Sequence, residues 1–269
     1  MKGLFKSIIL FLIFLPAYVL ANGNGTEAYC MFGCPKGSPE TDKLIQHNCY
    51  TLMNNGNTKF ADWVAYSLGK KSITGNAKLI RIWKVDPLLS KDETLEPKDY
   101  FGASTALKVD RGHQAPLASF KGTTCWQETN YLSNITPQKS ALNQGPWERV
   151  EDKERDLANS DTVYSITGTL YEREMPKLPR TKKPHEIPSG YWKIIMIVPK
   201  GELSSIKVLA FIFDQETPRN DDILNHLCSV DDIEAKTHLD FFPELDEKLQ
   251  ADIEGKIDKN WASQVLEKR

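Results

Sequence analysis

Four stretches of this chain carry the hydrophobic patterning of strands. Lys78–Val85, Thr162–Tyr171, Tyr191–Val198 and Ile206–Phe213 are rich in β-branched and aromatic residues, which fit a pleated, half-buried surface. The last two are apolar at nearly every position, as expected of strands covered on both faces. The short Pro199–Ser204 connection between them predicts antiparallel neighbours. Helical spacing is clearest in Trp147–Leu157, which follows Pro146 and is acidic near its start, as helix N-termini favour. A further helix is expected to begin near Asp231 or Asp232 and to carry Ile233 and Glu234. The tail from Glu244 to Lys268 reads as helical, with Leu245, Leu249, Ile253 and Ile257 four residues apart. Residues 22–45 read as an irregular arm. Met175–Gly190, with four prolines among basic residues, reads as a stiff loop. Strands mixed with separate helices predict an α+β domain.

The start of the chain changes the picture. Lys2 and Lys6 precede the apolar run Ile8–Leu15, and Val19-Leu20-Ala21 places small residues at the −3 and −1 positions of a cleavage site. That layout predicts a signal peptide over residues 1–21, leaving a mature domain of 22–269 with no membrane anchor, secreted or periplasmic. Export permits disulfides. Cys30 and Cys34 flank Gly33 and are expected to form a small staple, since no second Cys/His pair lies near at zinc-like spacing. The partners of Cys49, Cys125 and Cys228 stay open at this level.

Composition excludes disordered, fibrous and polytopic membrane classes: hydrophobic residues are 40%, charged residues 26%, and mean hydropathy is −0.43. Lysine plus arginine number 34 against 36 acidic residues. Removing Lys2 and Lys6 with the leader leaves 32 against 36, or −4. Nucleic acid binding by bulk charge is excluded, so any such binding needs a local basic groove.

Three segments carry candidate chemistry. Lys108–Pro116 packs Asp110, Arg111 and His113 around Gly112. A neutral imidazole can take a proton from water near pH 7, a guanidinium neutralises phosphate, and glycine permits a turn or close approach. Taken alone it could equally be a surface turn. Asn130–Ser140, continuing through Asn143 to Glu148, is rich in amides and hydroxyls suited to a hydrated cation or a sugar–phosphate, and equally to a loop with a helix cap. Asn143, Trp147, Glu151 and Arg155 fall at four-residue steps on one stripe of a continuous helix. Glu151 and Arg155 would then also make a favourable i,i+4 pair. Pro146 interrupts that stripe, because its ring crowds the carbonyl of Leu142. A kink there is expected to rotate Asn143 relative to Glu151.

Together these segments resemble the DNA/RNA non-specific endonucleases of the Serratia-nuclease type. The resemblance rests on Asp110-Arg-Gly-His113, Asn130–Gln138, Leu142-Asn-Gln-Gly145 and Glu151. It extends to Cys30–Pro35, Tyr50–Leu52, Thr58–Tyr66, Leu170–Arg173, Ile187–Ser189, Tyr191–Lys193 and Phe211–Gln215. It implies a single α+β domain with a central, mainly antiparallel sheet flanked by helices and a ββα-metal active site. By that resemblance His113 is the general base and Asn143 the ligand of magnesium, or of manganese in its place. Arg81 matches a catalytic arginine, and Arg111, Glu151 and Arg155 match its supporting residues. Asp110 and Asn134 match motif positions of supporting role. The implied partners are DNA and RNA, cut to 5′-phosphorylated oligonucleotides. Some members dimerise, and a homodimer is left open. The C-terminal cysteine pairing of well-known members is altered, since Cys228 is displaced and no cysteine follows it. Two rival readings remain at this level: a non-catalytic nucleic-acid-binding protein on the same scaffold, and a nuclease restricted to DNA.

Overall fold

The structure is a computed structural model that describes residues 29–199 and 202–267, so the expected leader lies outside the described residues. Among the described residues nine strands form two sheets: β1 (Lys43–Gln46), β2 (Thr51–Asn55), β3 (Phe60–Leu68), β4 (Val109–His113), β5 (Ile135–Lys139), β6 (Val163–Leu170), β7 (Gly190–Ile197), β8 (Lys207–Asp214) and β9 (Leu227–Cys228). Seven of them make one sheet in the order β1-β2-β3-β6-β7-β8-β9, and β4 pairs with β5 in a separate ribbon. Every pairing between these strands is antiparallel, including the expected one between β7 and β8. The helices are α1 (Lys70–Ile73), α2 (Ala103–Leu107), α3 (Ser140–Leu142), α4 (Glu148–Leu157), α5 (Val230–Thr237), α6 (Glu247–Glu254) and α7 (Lys259–Leu266).

Both faces of the large sheet are covered, which explains why β7 is buried along its whole length. Side chains alternate across a strand, so Tyr191, Ile195 and Ile197 face one core, with Trp147 and Val150 of the α4 region and Ala262 and Leu266 of α7. Trp192, Ile194 and Met196 face the other, with Val230 and Ile233 of α5 and with Phe241 and Phe242. A third cluster, including Tyr100, Val109 and Ile135, lies beneath the β4–β5 ribbon.

Several sequence expectations change. Lys78–Val85 is not a strand: apart from a single bridge from Lys84 to Tyr131 it makes no ladder, and Ile80 and Ile82 stand 47% and 56% exposed. Its β-branched composition supplies no partner strand, and a strand requires one. The arm over 22–45 ends in β1, whose partner is β2. The C-terminal tail is two helices, α6 and α7, broken after Gly255, with Asp246 and Asp258 capping their N-termini. The helix expected near Asp231 is α5, opened by a Ser229–Asp232 capping box. Cys30 bonds to Cys34 as expected, Cys49 bonds to Cys125, and Cys228 is a free thiol.

Candidate active site

Strand β4 and helix α4, with Asn143 and Gln144 just before that helix, line one side of a cleft of about 460 Å³. Arg81, Asp110, Arg111, His113, Asn143, Glu151 and Arg155 all line it. The residues named from the sequence therefore converge, with one exception. Asn134 is fully buried and lies outside the lining. Its amide accepts from the Ala115 N–H at 2.8 Å and donates to the carbonyls of Ala115 and Thr129, pinning the turn that follows His113.

His113 ends β4, opposite Ile135 of β5. Gly112 sits in mid-strand rather than in a turn. A Cβ there would meet the Gln138 side chain at 2.4 Å, so the glycine admits the close approach of β5. The His113 Nε2 lies 3.3 Å from Asn130 Oδ1, and Asn130 Nδ2 donates to the Ile80 carbonyl. That second bond orients the amide with its oxygen toward the ring, so Nε2 carries the proton and Nδ1 is the basic atom. Burial pushes the imidazole down to about 4, and the Arg81 charge acts in the same direction while Asn130 opposes both. The ring is neutral near pH 7.

Arg111 lies between two aromatic rings, 5.5 Å from Trp83 and 5.0 Å from Tyr100, and its Nη2 donates to the Pro97 carbonyl. Its Nε is buried without a hydrogen-bond partner. Such a held cation with an unused donor is prepared for an anion. Arg155 donates to Ser119 and makes its close ion pair with Asp152, three residues earlier, while its charge also interacts favourably with Glu151 as the i,i+4 spacing predicts.

The kink expected at Pro146 is present. Gln144 and Gly145 leave helical geometry between α3 and α4. A side chain at Gly145 would strike the Arg219 carbonyl at 2.6 Å. Asn143 nevertheless stays in the cleft, because its Nδ2 donates to Asp110 Oδ2 at 2.9 Å. Asp110 also accepts from Ser140 and Gln144, so one carboxylate holds the α3 turn against β4. With Nδ2 committed to Asp110, the amide oxygen is the atom Asn143 can offer a cation. Burial raises Glu151 to about 7, partly offset by Lys193 and Arg155. These oxygen donors suit a hard cation that keeps most of its water, as magnesium does. Among the described residues, the only group of three metal-ligand side chains, Asp231, Glu234 and Glu254, involves none of the cleft residues.

The remaining histidines do not enter the cleft lining. His47 pairs with buried Asp86 at 2.8 Å, His185 accepts from the Leu178 N–H, and His226 packs on Phe213. Sequence reasoning assigned no role to Asn130, Trp83 or Tyr100. Asn130 stood within a motif, but which way its amide faces is a tertiary fact.

A model of the family described as DNA/RNA non-specific endonuclease matches residues 33–248. The chain is 50% identical to a nuclease of Serratia marcescens over 230 residues, spanning 84% of this chain and 85% of that protein. It is 28% identical to a nuclease of Nostoc sp., over 86% of each chain. It is 26% identical to human mitochondrial endonuclease G, over 78% of this chain and 72% of that protein. Among solved structures, an EndoG/EndoGI complex matches with a TM-score of 0.70 at 21% identity, covering 83% of this chain and 93% of that one.

Proposed function

The chain belongs to the DNA/RNA non-specific endonuclease family and is an endonuclease acting on nucleic acids; from that premise we propose an exported, magnesium-dependent enzyme that cleaves DNA and RNA to 5′-phosphorylated oligonucleotides. The observation that carries this reading is the convergence of His113, Asn143, Glu151 and three arginines on one cleft. Arg81, Arg111 and Arg155 bring three guanidiniums into the cleft beside Asp110, Glu148 and Glu151, so phosphate contact in this acidic chain rests on those three cations rather than on bulk charge. Contacts to phosphate carry no base information, which accounts for tolerance of sequence.

His113 acts as general base through Nδ1, taking a proton from the water that attacks phosphorus. Asn130 holds the ring in the tautomer that leaves Nδ1 free. A bound phosphodiester places negative charge beside the imidazole and so favours the protonated form as the reaction proceeds. Arg81 and Arg111 neutralise the phosphoryl oxygens, and Arg155 supports them from α4. Asn143, with its oxygen turned from Asp110, would hold magnesium, and Glu151 would hydrogen-bond the ion's hydration shell. When bound, the ion supplies positive charge for the phosphoryl and leaving oxygens.

Export is supported by the N-terminal layout and by the Cys30–Cys34 and Cys49–Cys125 bridges. No helix among the described residues is long and apolar enough to cross a membrane. The test is digestion of plasmid DNA and total RNA by the mature protein with magnesium and with EDTA, beside a folded His113→Ala variant. The expected result is magnesium-dependent cleavage of both substrates, reduced in the variant by about 10²–10⁴-fold. Cleavage of DNA alone, or an undiminished variant, would refute this assignment.

A further inference from the structure

Beneath the cleft, α4 rests on a buried ionic network that the proposed chemistry does not use. Glu154 is fully buried. Its carboxylate accepts from the Tyr66 hydroxyl at 2.9 and 3.0 Å and from the Ser165 hydroxyl. Lys193, also with no exposed surface, donates to the Tyr66 oxygen at 2.6 Å and lies 3.6 Å from Glu154 Oε1. Its ammonium sits 5.2 Å from the rings of both Tyr66 and Trp147.

The three partners come from three adjacent strands. Tyr66 of β3 lies directly across from Ser165 of β6, and Lys193 of β7 lies across from Thr167, two residues further along the same face. A single helix carboxylate is thus gripped by three neighbouring strands of the rigid sheet. The Thr167 hydroxyl also lies 3.3 Å from the amide oxygen of Gln114, so the face of β6 that carries Ser165 reaches the residue after His113 as well.

The break at Gln144–Gly145 makes this grip consequential. A continuous helix would transmit the setting of α3 to α4, but the non-helical residues interrupt that coupling. The apolar contacts of Trp147 and Val150 are non-directional and tolerate rotation, whereas charge-assisted hydrogen bonds select one orientation. Glu151 is three residues from Glu154 on the same helix, and Arg155 is its neighbour. A rotation of α4 about Glu154 would carry both out of place.

We propose that Lys193, with Tyr66 and Ser165, is a positioning group that fixes the rotation of α4 through Glu154 and so holds Glu151 and Arg155 in the cleft. The inference rests on the endonuclease reading above. It is tested with the folded Lys193→Met/Glu154→Leu double variant, which replaces the ion pair by apolar side chains, and with Tyr66→Phe, which deletes only the shared hydroxyl. Cleavage of a defined DNA duplex with magnesium is followed below the Tm of every protein, with kcat taken per folded molecule.

The expected result for the double variant is a kcat lowered by about ten- to a hundred-fold with KM within about twofold. Tyr66→Phe shifts kcat in the same direction by less. A merely structural network would lower Tm or the yield of folded protein, leaving kcat per folded molecule unchanged. Wild-type kcat in the folded variants overturns the positioning role. If the double variant does not fold, Tyr66→Phe decides alone. No cleavage by the wild-type protein would instead overturn the functional reading, which keeps the two failures apart.

Discussion

Helix α4 presents two glutamates three residues apart to opposite circumstances. Glu154 faces the large sheet, where Tyr66, Ser165 and Lys193 satisfy its carboxylate. Glu151 faces the cleft, where burial raises its carboxyl to about 7 and the Lys193 and Arg155 charges only partly compensate. The same side chain is a fully paired anchor on one face and an under-compensated acid on the other. On this one helix the glutamate that anchors the fold is saturated with partners, whereas the glutamate that lines the cleft is left short of them.

The largest expected effect breaks the sheet face. Trp147 is 1% exposed and packs edge-on against Tyr191 and Phe213. Trp147→Ala removes that packing and the ring over Lys193, at a cost of about 3–5 kcal/mol. Thermal unfolding should show Tm lowered by roughly 10 °C. An unchanged Tm would mean that α4 is held from elsewhere.

A smaller effect separates the cleft face. Glu151→Gln should lower kcat by about ten- to a hundred-fold while leaving Tm unchanged or raised, because a raised buried acid stabilises nothing when ionised. Steady-state kinetics beside a melting curve checks both halves. A lowered Tm with normal kcat would reverse the contrast between the two glutamates.

The smallest effect is a slope with pH. Because Glu151 holds its proton up to about 7 in the folded state, the folded protein binds more protons than the unfolded chain between the ordinary glutamate range and that value. Stability in EDTA therefore falls as pH rises through this window and levels above it, by at most about 1.4 kcal/mol per pH unit for one group. Asp62 and Glu254, raised to about 7 and about 8 by burial, tilt the curve the same way. The difference between wild type and Glu151→Gln isolates the cleft residue. Identical slopes would remove Glu151 from the account.

Much of the cleft was legible because its chemistry lies in short segments. Asp110, Arg111 and His113 share one strand, and Asn143 and Glu151 follow the partner strand within a dozen residues of β5. Three of the four strand-like runs became β6, β7 and β8, since runs of β-branched and aromatic residues survive burial on both faces. Arg81 was identified through its motif while its segment was misassigned. Ile80 and Ile82 are apolar yet exposed, and hydrophobic pattern alone cannot distinguish a core strand from a rim. The strands β1, β2, β4 and β5 are short and carry polar residues at alternate or adjacent positions, so hydrophobic pattern alone did not mark them, and the mostly apolar β3 was not read as a strand.

The sequence by itself determined the class of fold, the side-chain types that line the cleft and their order, because residue identity and local spacing are written in it directly. Tertiary structure alone decided that Asn143 stays with His113 despite the break at Gly145, through a hydrogen bond to Asp110. It alone decided that Asn130 orients the His113 ring, and that Lys193 lies buried beneath Glu154 rather than at the surface where lysines usually sit. Each of these depends on contacts between residues distant along the chain, and on the burial that turns a charge into either an anchor or a tool.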